Sequence, residues 1–289
     1  MAAQTRPPAS TDSGRSEDIW VKCQGCKEII FRKEAERNLN VCVRCGYHFR
    51  LTVEQRLIIT VDRSSWRELF SDLAVGDPLG FTDTRPYPQR LQAARRATGH
   101  NDAVHIGTAK IEGHPAAIGV MDFNFMGGSM GVVVGEKLAR LILHATARRL
   151  PVVIFSCSGG ARMQEGTLSL MQMAKVATAL GRLRDARLAY ISVLCDPTTG
   201  GVSASFANLG DLNIAEPQAV IGFAGRRVIE QTTNRQLPED FQTAEFLLAH
   251  GMLDAIIPRQ RMRATLGHLL AMLAAGRKVK NPGSPANRP

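Results

Sequence analysis

The feature that most narrows the fold of this chain is a unit that recurs four times after residue 104: a short apolar run, a glycine turn, then a helical pattern. The first unit has two predicted strands, His105 to Ile111 and Ala116 to Phe125, before Gly127-Gly128-Ser129-Met130-Gly131 and a helix from Val132 to Arg149. The second runs from Pro151 to Phe155 through Ser158–Gly166, and the third from Leu188 to Cys195 through Asp196-Pro-Thr-Thr-Gly-Gly201. The fourth starts at Ala219 and turns at Gly222–Gly225. Repeated β-then-α units imply an α/β fold with a mainly parallel sheet and helices on its outer faces. Ligands of such sheets gather at the carboxyl ends of the strands, where all four glycine turns belong.

Two of those turns carry doubled glycines: Gly159 and Gly160 in the second unit, Gly200 and Gly201 in the third. Adjacent glycines let the backbone turn sharply, and the first N–H groups of a helix have no intrahelical acceptor. Two amides aimed at one carbonyl oxygen make an oxyanion hole, and each such donor is worth about 2.7–4 kcal/mol in a transition state. That suits an enolate formed beside a thioester and needs no nucleophilic side chain. The plainer reading is that glycine simply fits a tight βα turn.

Ser129 offers a competing chemistry, because Gly127 to Gly131 fits the Gly-x-Ser-x-Gly elbow of serine hydrolases between a strand and a helix. Asp196 or Asp211 with His250 or His268 would complete a triad. Neither histidine follows a strand, and a chain with 26 glycines meets this pattern readily by chance.

Near the N-terminus, Cys23-Gln-Gly-Cys26 and Cys42-Val-Arg-Cys45 stand fifteen residues apart, the spacing of a zinc ribbon with two thiolates from each knuckle. Gly25 and Gly46 are expected to help form the knuckles, and His48 to lie on the surface, since four thiolates complete a tetrahedral shell. A closed site leaves no position for substrate, so the metal is structural. Lys22, Lys27, Arg32, Lys33, Arg37, Arg44 and Arg50 make the module basic, either a nucleic-acid footprint or a solvated face.

The 44% hydrophobic content supports a sizeable core, and no apolar run reaches the length of a membrane span, so the cytoplasm is the expected compartment. A net charge of +10 suits a polyanionic partner such as nucleic acid or coenzyme A without choosing between them. The expected organisation is a disordered tail at 1–18, the ribbon at 19–50, a helical connector broken by Pro78, Pro86 and Pro88 at 51–100, the main domain at 101–275 and a loose tail at 276–289.

These motifs, with Phe125–Gly131, Ser158–Gly166, Ser169–Lys175, Asp196–Phe206, Gly210–Pro217 and Val228–Thr232, closely resemble the carboxyltransferase beta subunits of bacterial acetyl-CoA carboxylase, from about Trp20 to Arg259. The resemblance implies a crotonase/ClpP-like spiral of β-β-α units and transfer of a carboxyl group from carboxybiotin to acetyl-CoA, giving malonyl-CoA for fatty-acid synthesis. It makes Cys23, Cys26, Cys42 and Cys45 the zinc ligands. It gives the amides of Gly159, Gly160, Ala161, Gly200 and Gly201 to the thioester enolate, with the ureido anion of biotin, rather than a side chain, taking the proton. Arg162, Arg226 and Arg227 become candidates for coenzyme A phosphates, although Arg226 stands where members of the family often carry proline. Single-chain relatives carry two such domains, so the resemblance also implies an alpha subunit in an α2β2 assembly, a biotin carboxyl carrier protein and a separate ATP-using biotin carboxylase. In related carboxyltransferases the zinc domain has been proposed to act on messenger RNA.

Overall fold

The computed structural model describes residues 19–275, leaving both expected tails outside the described residues. The chain divides into two units, one ending at Phe49 and one starting at Arg50.

The first unit is a ribbon. Strands β1 (Trp20–Lys22) and β2 (Ile29–Phe31) pair antiparallel, and helix α1 spans Arg32–Arg37. Each cysteine pair sits in a turn closed by a backbone bond, Lys27 N–H to Cys23 O at 3.0 Å and Gly46 N–H to Cys42 O at 2.9 Å. Within these two turns Lys27 and Gly46 are left-handed, with φ of 64° and 76°. Gly25 serves instead as a close approach, since a Cβ there would lie 3.1 Å from Tyr47 Cβ and 3.2 Å from Cys45 Sγ. His48 is not a surface residue: it is 7% exposed, with Nδ1 2.9 Å from Gly46 O.

The second unit is built on an eight-stranded sheet, ordered β10-β8-β7-β6-β5-β4-β3 with β9 paired to β7. Its strands are β3 (Arg67–Leu69), β4 (Val104–Ile111), β5 (His114–Met121), β6 (Val152–Ser158), β7 (Tyr190–Thr199), β8 (Leu212–Ala215), β9 (Ile221–Gly222) and β10 (Ala255–Ile256). The β3, β4 and β5 strands pair antiparallel, and the rest of the sheet is parallel. The run Val152 to Phe155 is apolar throughout because it is buried on both faces. Val152 and Ile154 meet one core with helices α4 (Val132–Arg148) and α5 (Gly166–Asp185). Val153 and Phe155 meet the other core with helices α2 (Val53–Thr60) and α9 (Arg259–Ala275).

The stretch 51–100 is part of this unit rather than a connector. Helix α2 starts with a capping box between Thr52 and Gln55 and packs on the sheet, and β3 extends the sheet edge. Pro86 and Pro88, read as breakers, lie at the start of helix α3 (Tyr87–Thr98), which Gly99 ends in the left-handed conformation. Helices α6 (Gly200–Ser203), α7 (Arg226–Thr233) and α8 (Ala244–Ala249) complete the described α-helices.

A separate buried cluster braces the second face. The Glu216 carboxylate, just past β8, accepts from Arg56 Nη1 at 2.8 Å and from Arg259 Nε and Nη2 at 2.8 and 2.7 Å, so one side chain joins α2, the sheet and α9. Burial alone would raise the Glu216 pKa, but its two arginines hold it well below the ordinary carboxylate range.

Candidate active site and zinc centre

The first three glycine turns converge at the carboxyl ends of β5, β6 and β7. Turn one, Gly127 to Gly131, runs beside turn two: Gly159 N–H donates to Gly127 O at 2.8 Å, Met130 N–H to Gly160 O at 2.8 Å, and Arg162 N–H to Met130 O at 3.0 Å. Gly128 is needed here because a Cβ would collide with the carbonyl oxygen of Cys157. Turn three is tied to turn two by Thr199 Oγ1, which donates to Ser158 O at 3.1 Å.

This lacing decides which amides remain for a ligand. The Gly159 amide is used by Gly127 O, the Gly160 amide by Ser158 Oγ at 3.0 Å, and the Gly200 amide by Phe223 O at 3.1 Å. These three expected donors are therefore committed within the protein. Among the described residues, the Ala161 and Gly201 amides donate to no protein group. The peptide joining Gly160 to Ala161 gives its carbonyl to Met130, and a trans peptide points its N–H the opposite way, so the Ala161 amide faces away from turn one. The buried Gly201 is close by: a Cβ built there would stand 3.7 Å from Ala161 N and 3.5 Å from Ala161 Cβ. Outside these turns is a cleft of about 990 Å³ whose walls include Arg85, Gln89, Met126, Gly159 and Ala161.

The arginines assigned to phosphates are placed differently from expectation. Arg162 is 0% exposed, and its guanidinium grips Asp102 bidentately, at 3.0 and 2.7 Å. It also donates to Ser129 O at 2.8 Å, Ser129 Oγ at 3.1 Å and the Tyr87 hydroxyl at 3.3 Å. Burial pulls its pKa down, but Asp102 more than offsets this and keeps it charged. Such a filled guanidinium has nothing left for a phosphate. Arg226 is likewise occupied, donating to Glu230 and to the carbonyls of Leu237, Pro238 and Glu239, so it closes a loop. The side chain of Arg227 lies outside the described residues.

Sequence reading missed Arg85, which is exposed on the cleft wall and whose guanidinium has no partner among the described residues. It missed Tyr87, Asp102 and Glu165 as well. The Glu165 carboxylate accepts from Tyr87 Oη at 2.6 Å and caps α4 by accepting from Val132 N–H at 2.5 Å. It fills the space left by Gly131, where a Cβ would fall 2.5 Å from Glu165 Oε1.

The serine-hydrolase alternative fails on geometry. Ser129 Oγ accepts from Arg162 Nε, and a guanidinium cannot act as a base. His250 is bonded to Phe246 O, His268 is exposed on α9, and Asp211 accepts from Tyr190 N–H. The thiols near the site are inert: burial pushes the Cys195 thiol up to about 12 and raises Cys157 well above its usual value.

In the ribbon, the four cysteine Sγ atoms lie within 4.8 Å of one another. Cys23 to Cys45 is 3.6 Å and Cys26 to Cys42 is 3.9 Å. A tetrahedron with zinc–sulfur bonds of about 2.3 Å has edges of about 3.8 Å, so the thiolates present fit zinc.

A carboxyl transferase domain matches residues 50–245, and an acetyl-CoA carboxylase zinc finger domain matches residues 20–45. The chain is 53% identical over 263 residues to the acetyl-coenzyme A carboxylase carboxyl transferase subunit beta of Prochlorococcus marinus strain MIT 9303, covering 91% of this chain and 90% of that one. It is 54% identical over 274 residues to the protein of the same name from Pelotomaculum thermopropionicum, covering 95% and 96%. Among solved structures, transcarboxylase 12S with methylmalonyl-coenzyme A bound superposes with a TM-score of 0.65 at 23% identity, over 82% of this chain and 42% of that chain. This likeness carries the fold, a crotonase-like α/β architecture.

Proposed function

The chain belongs to the family of acetyl-CoA carboxylase carboxyltransferase beta subunits, and from that premise we infer that it moves a carboxyl group from carboxybiotin to acetyl-CoA. The product is malonyl-CoA. The observation that carries the catalytic reading is the pair of uncommitted amides, Ala161 and Gly201, at the meeting of two glycine turns.

The thioester carbonyl oxygen reaches past the cleft wall to the Ala161 amide between turns two and three, with the buried Gly201 as second donor. When a methyl proton leaves for the ureido nitrogen of decarboxylated biotin, charge moves onto that oxygen and both amides bind it. The enolate carbon then attacks carbon dioxide. Gly159, Gly160 and Gly200 shape the turns that aim these donors. Arg85 takes the phosphate role first given to Arg162 and Arg226, since a guanidinium without a protein partner on the cleft wall suits an anion.

As a beta subunit the chain works with partner subunits. The specific assembly we propose is an α2β2 complex with an alpha subunit, visited by a biotin carboxyl carrier protein charged by biotin carboxylase, in the cytoplasm. No helix among the described residues is long and apolar enough to cross a membrane. The exposed Lys22, Lys27, Arg32, Lys33, Arg37 and Arg44 favour an additional contact between the ribbon and messenger RNA, which would show a steep salt dependence.

The test is malonyl-CoA formation by the chain alone and with its alpha subunit, for wild type and Gly201→Pro. Activity only in the pair, and lost with the proline that removes an amide in a variant that still assembles, supports the reading. An inactive zinc-loaded complex overturns it.

A further inference from the structure

We propose that Arg162 is a positioning residue for carboxyl transfer, its buried guanidinium held by Asp102, Tyr87 and Glu165 so that the neighbouring Ala161 amide keeps its direction. The inference rests on the oxyanion reading of that amide. Arg162 borders the cleft, but its side chain is 0% exposed and every nitrogen of its guanidinium already meets an acceptor, so its part is to position rather than to bind.

Ala161 is held from both sides by one neighbour, since Gly160 O and Arg162 N both bond to the backbone of Met130. The Arg162 side chain reaches the preceding residue, Ser129, at both its carbonyl and its hydroxyl, so backbone and side chain grip turn one together. The far side of the guanidinium is anchored 60 and 75 residues earlier in the chain, at Asp102 and Tyr87. Tyr87 then donates to Glu165, whose other oxygen caps α4 at Val132. Turn one, turn two and the start of α3 are thus joined through one planar fork whose donors have fixed relative directions.

Burying ions is costly, and a well-packed apolar cluster of the same volume is often at least as stable, so stability alone is a weak account of this arrangement. An oxyanion donor needs direction as well as presence, and a misplacement of about 1 Å can cost about 10²-fold in rate.

The test is steady-state kinetics of malonyl-CoA formation by the complex with the alpha subunit, with acetyl-CoA varied, for wild type, Tyr87→Phe and Asp102→Asn. Thermal unfolding is measured in parallel. The expected result is a kcat lowered about tenfold or more in both variants, with KM for acetyl-CoA within about twofold of wild type at temperatures well below unfolding. If Asp102→Asn does not fold, Tyr87→Phe, which removes one oxygen, carries the test. A lowered Tm with unchanged kcat assigns a structural role only and overturns the proposal, as does a rise in KM at constant kcat. An inactive wild-type complex brings down the functional reading itself and this inference with it, an outcome distinct from active wild type with unaffected variants.

Discussion

Gly160 and Gly200 stand back to back where the second and third glycine turns meet: a Cβ on Gly200 would lie 3.0 Å from Gly160 Cα, and one on Gly160 would lie 3.2 Å from Gly200 Cα. Both have positive φ, 119° and 62°. The contact sets the separation of the Ala161 and Gly201 amides, so the glycines are required for distance as well as for turning.

Gly200→Ala should therefore act twice. The left-handed conformation costs an L-residue about 1–2 kcal/mol, and the added methyl pushes turn two from turn three. We expect kcat for malonyl-CoA formation to fall by about 10²-fold in a variant that still folds, read from kinetics beside a melting curve. Wild-type turnover would refute the contact as the spacer of the two donors.

Glu216→Gln should destabilise the second unit by about 3–5 kcal/mol, since it removes the charge that Glu216 sets against the buried Arg56 and Arg259. The pH dependence has a definite sign. The folded Glu216 pKa is depressed, so its contribution is complete above the unfolded carboxylate value of about 4.3 and is lost as pH falls toward the folded one. Denaturant unfolding between about pH 6 and 3 should show a steeper acid loss in wild type than in Glu216→Gln.

Removing zinc should unfold the ribbon and spare the sheet. Among the described residues the ribbon buries few apolar side chains, Cys23, Ile30, Ala35, Val41 and Cys42, too little to hold an independent fold, so metal binding supplies its folding energy. Chelation, or Cys42→Ser, should release about one zinc per chain and open 20–45 to proteolysis, with cleavage sites mapped by mass spectrometry. A ribbon still protected after zinc loss would contradict this.

Arg85→Ala should raise KM for acetyl-CoA about three- to tenfold and leave kcat nearly unchanged, the pattern of a contact made equally in ground and transition states. Arg85→Lys should recover part of the loss. If KM is unmoved in both, the phosphates are held elsewhere.

The strand, turn and helix rhythm was legible because it is local. Apolar runs such as Val152 to Phe155 mark a strand buried on both faces, and the doubled glycines mark where it turns. The cysteine spacing was legible for the same reason, since each knuckle closes within five residues. The roles of arginines were not legible. Arg162 looks like a residue at the start of a helix, and nothing near it announces an anchor at Asp102 or Tyr87. Pro86 and Pro88 illustrate the ambiguity of punctuation, because the same residue that breaks a helix also begins one.

By itself the sequence determined the ribbon beside a larger unit, the four thiolates, the mainly parallel sheet and the glycine turns at its strand ends, of which the first three gather at the site, all set by residues close together in the chain. Only the tertiary structure decided which backbone amides stay uncommitted and which arginine faces the cleft. A hydrogen bond commits a donor to whichever acceptor lies near it, and Gly127 and Phe223, distant in the chain, had to be folded into place before they could claim the Gly159 and Gly200 amides, while Ser158 takes the Gly160 amide locally.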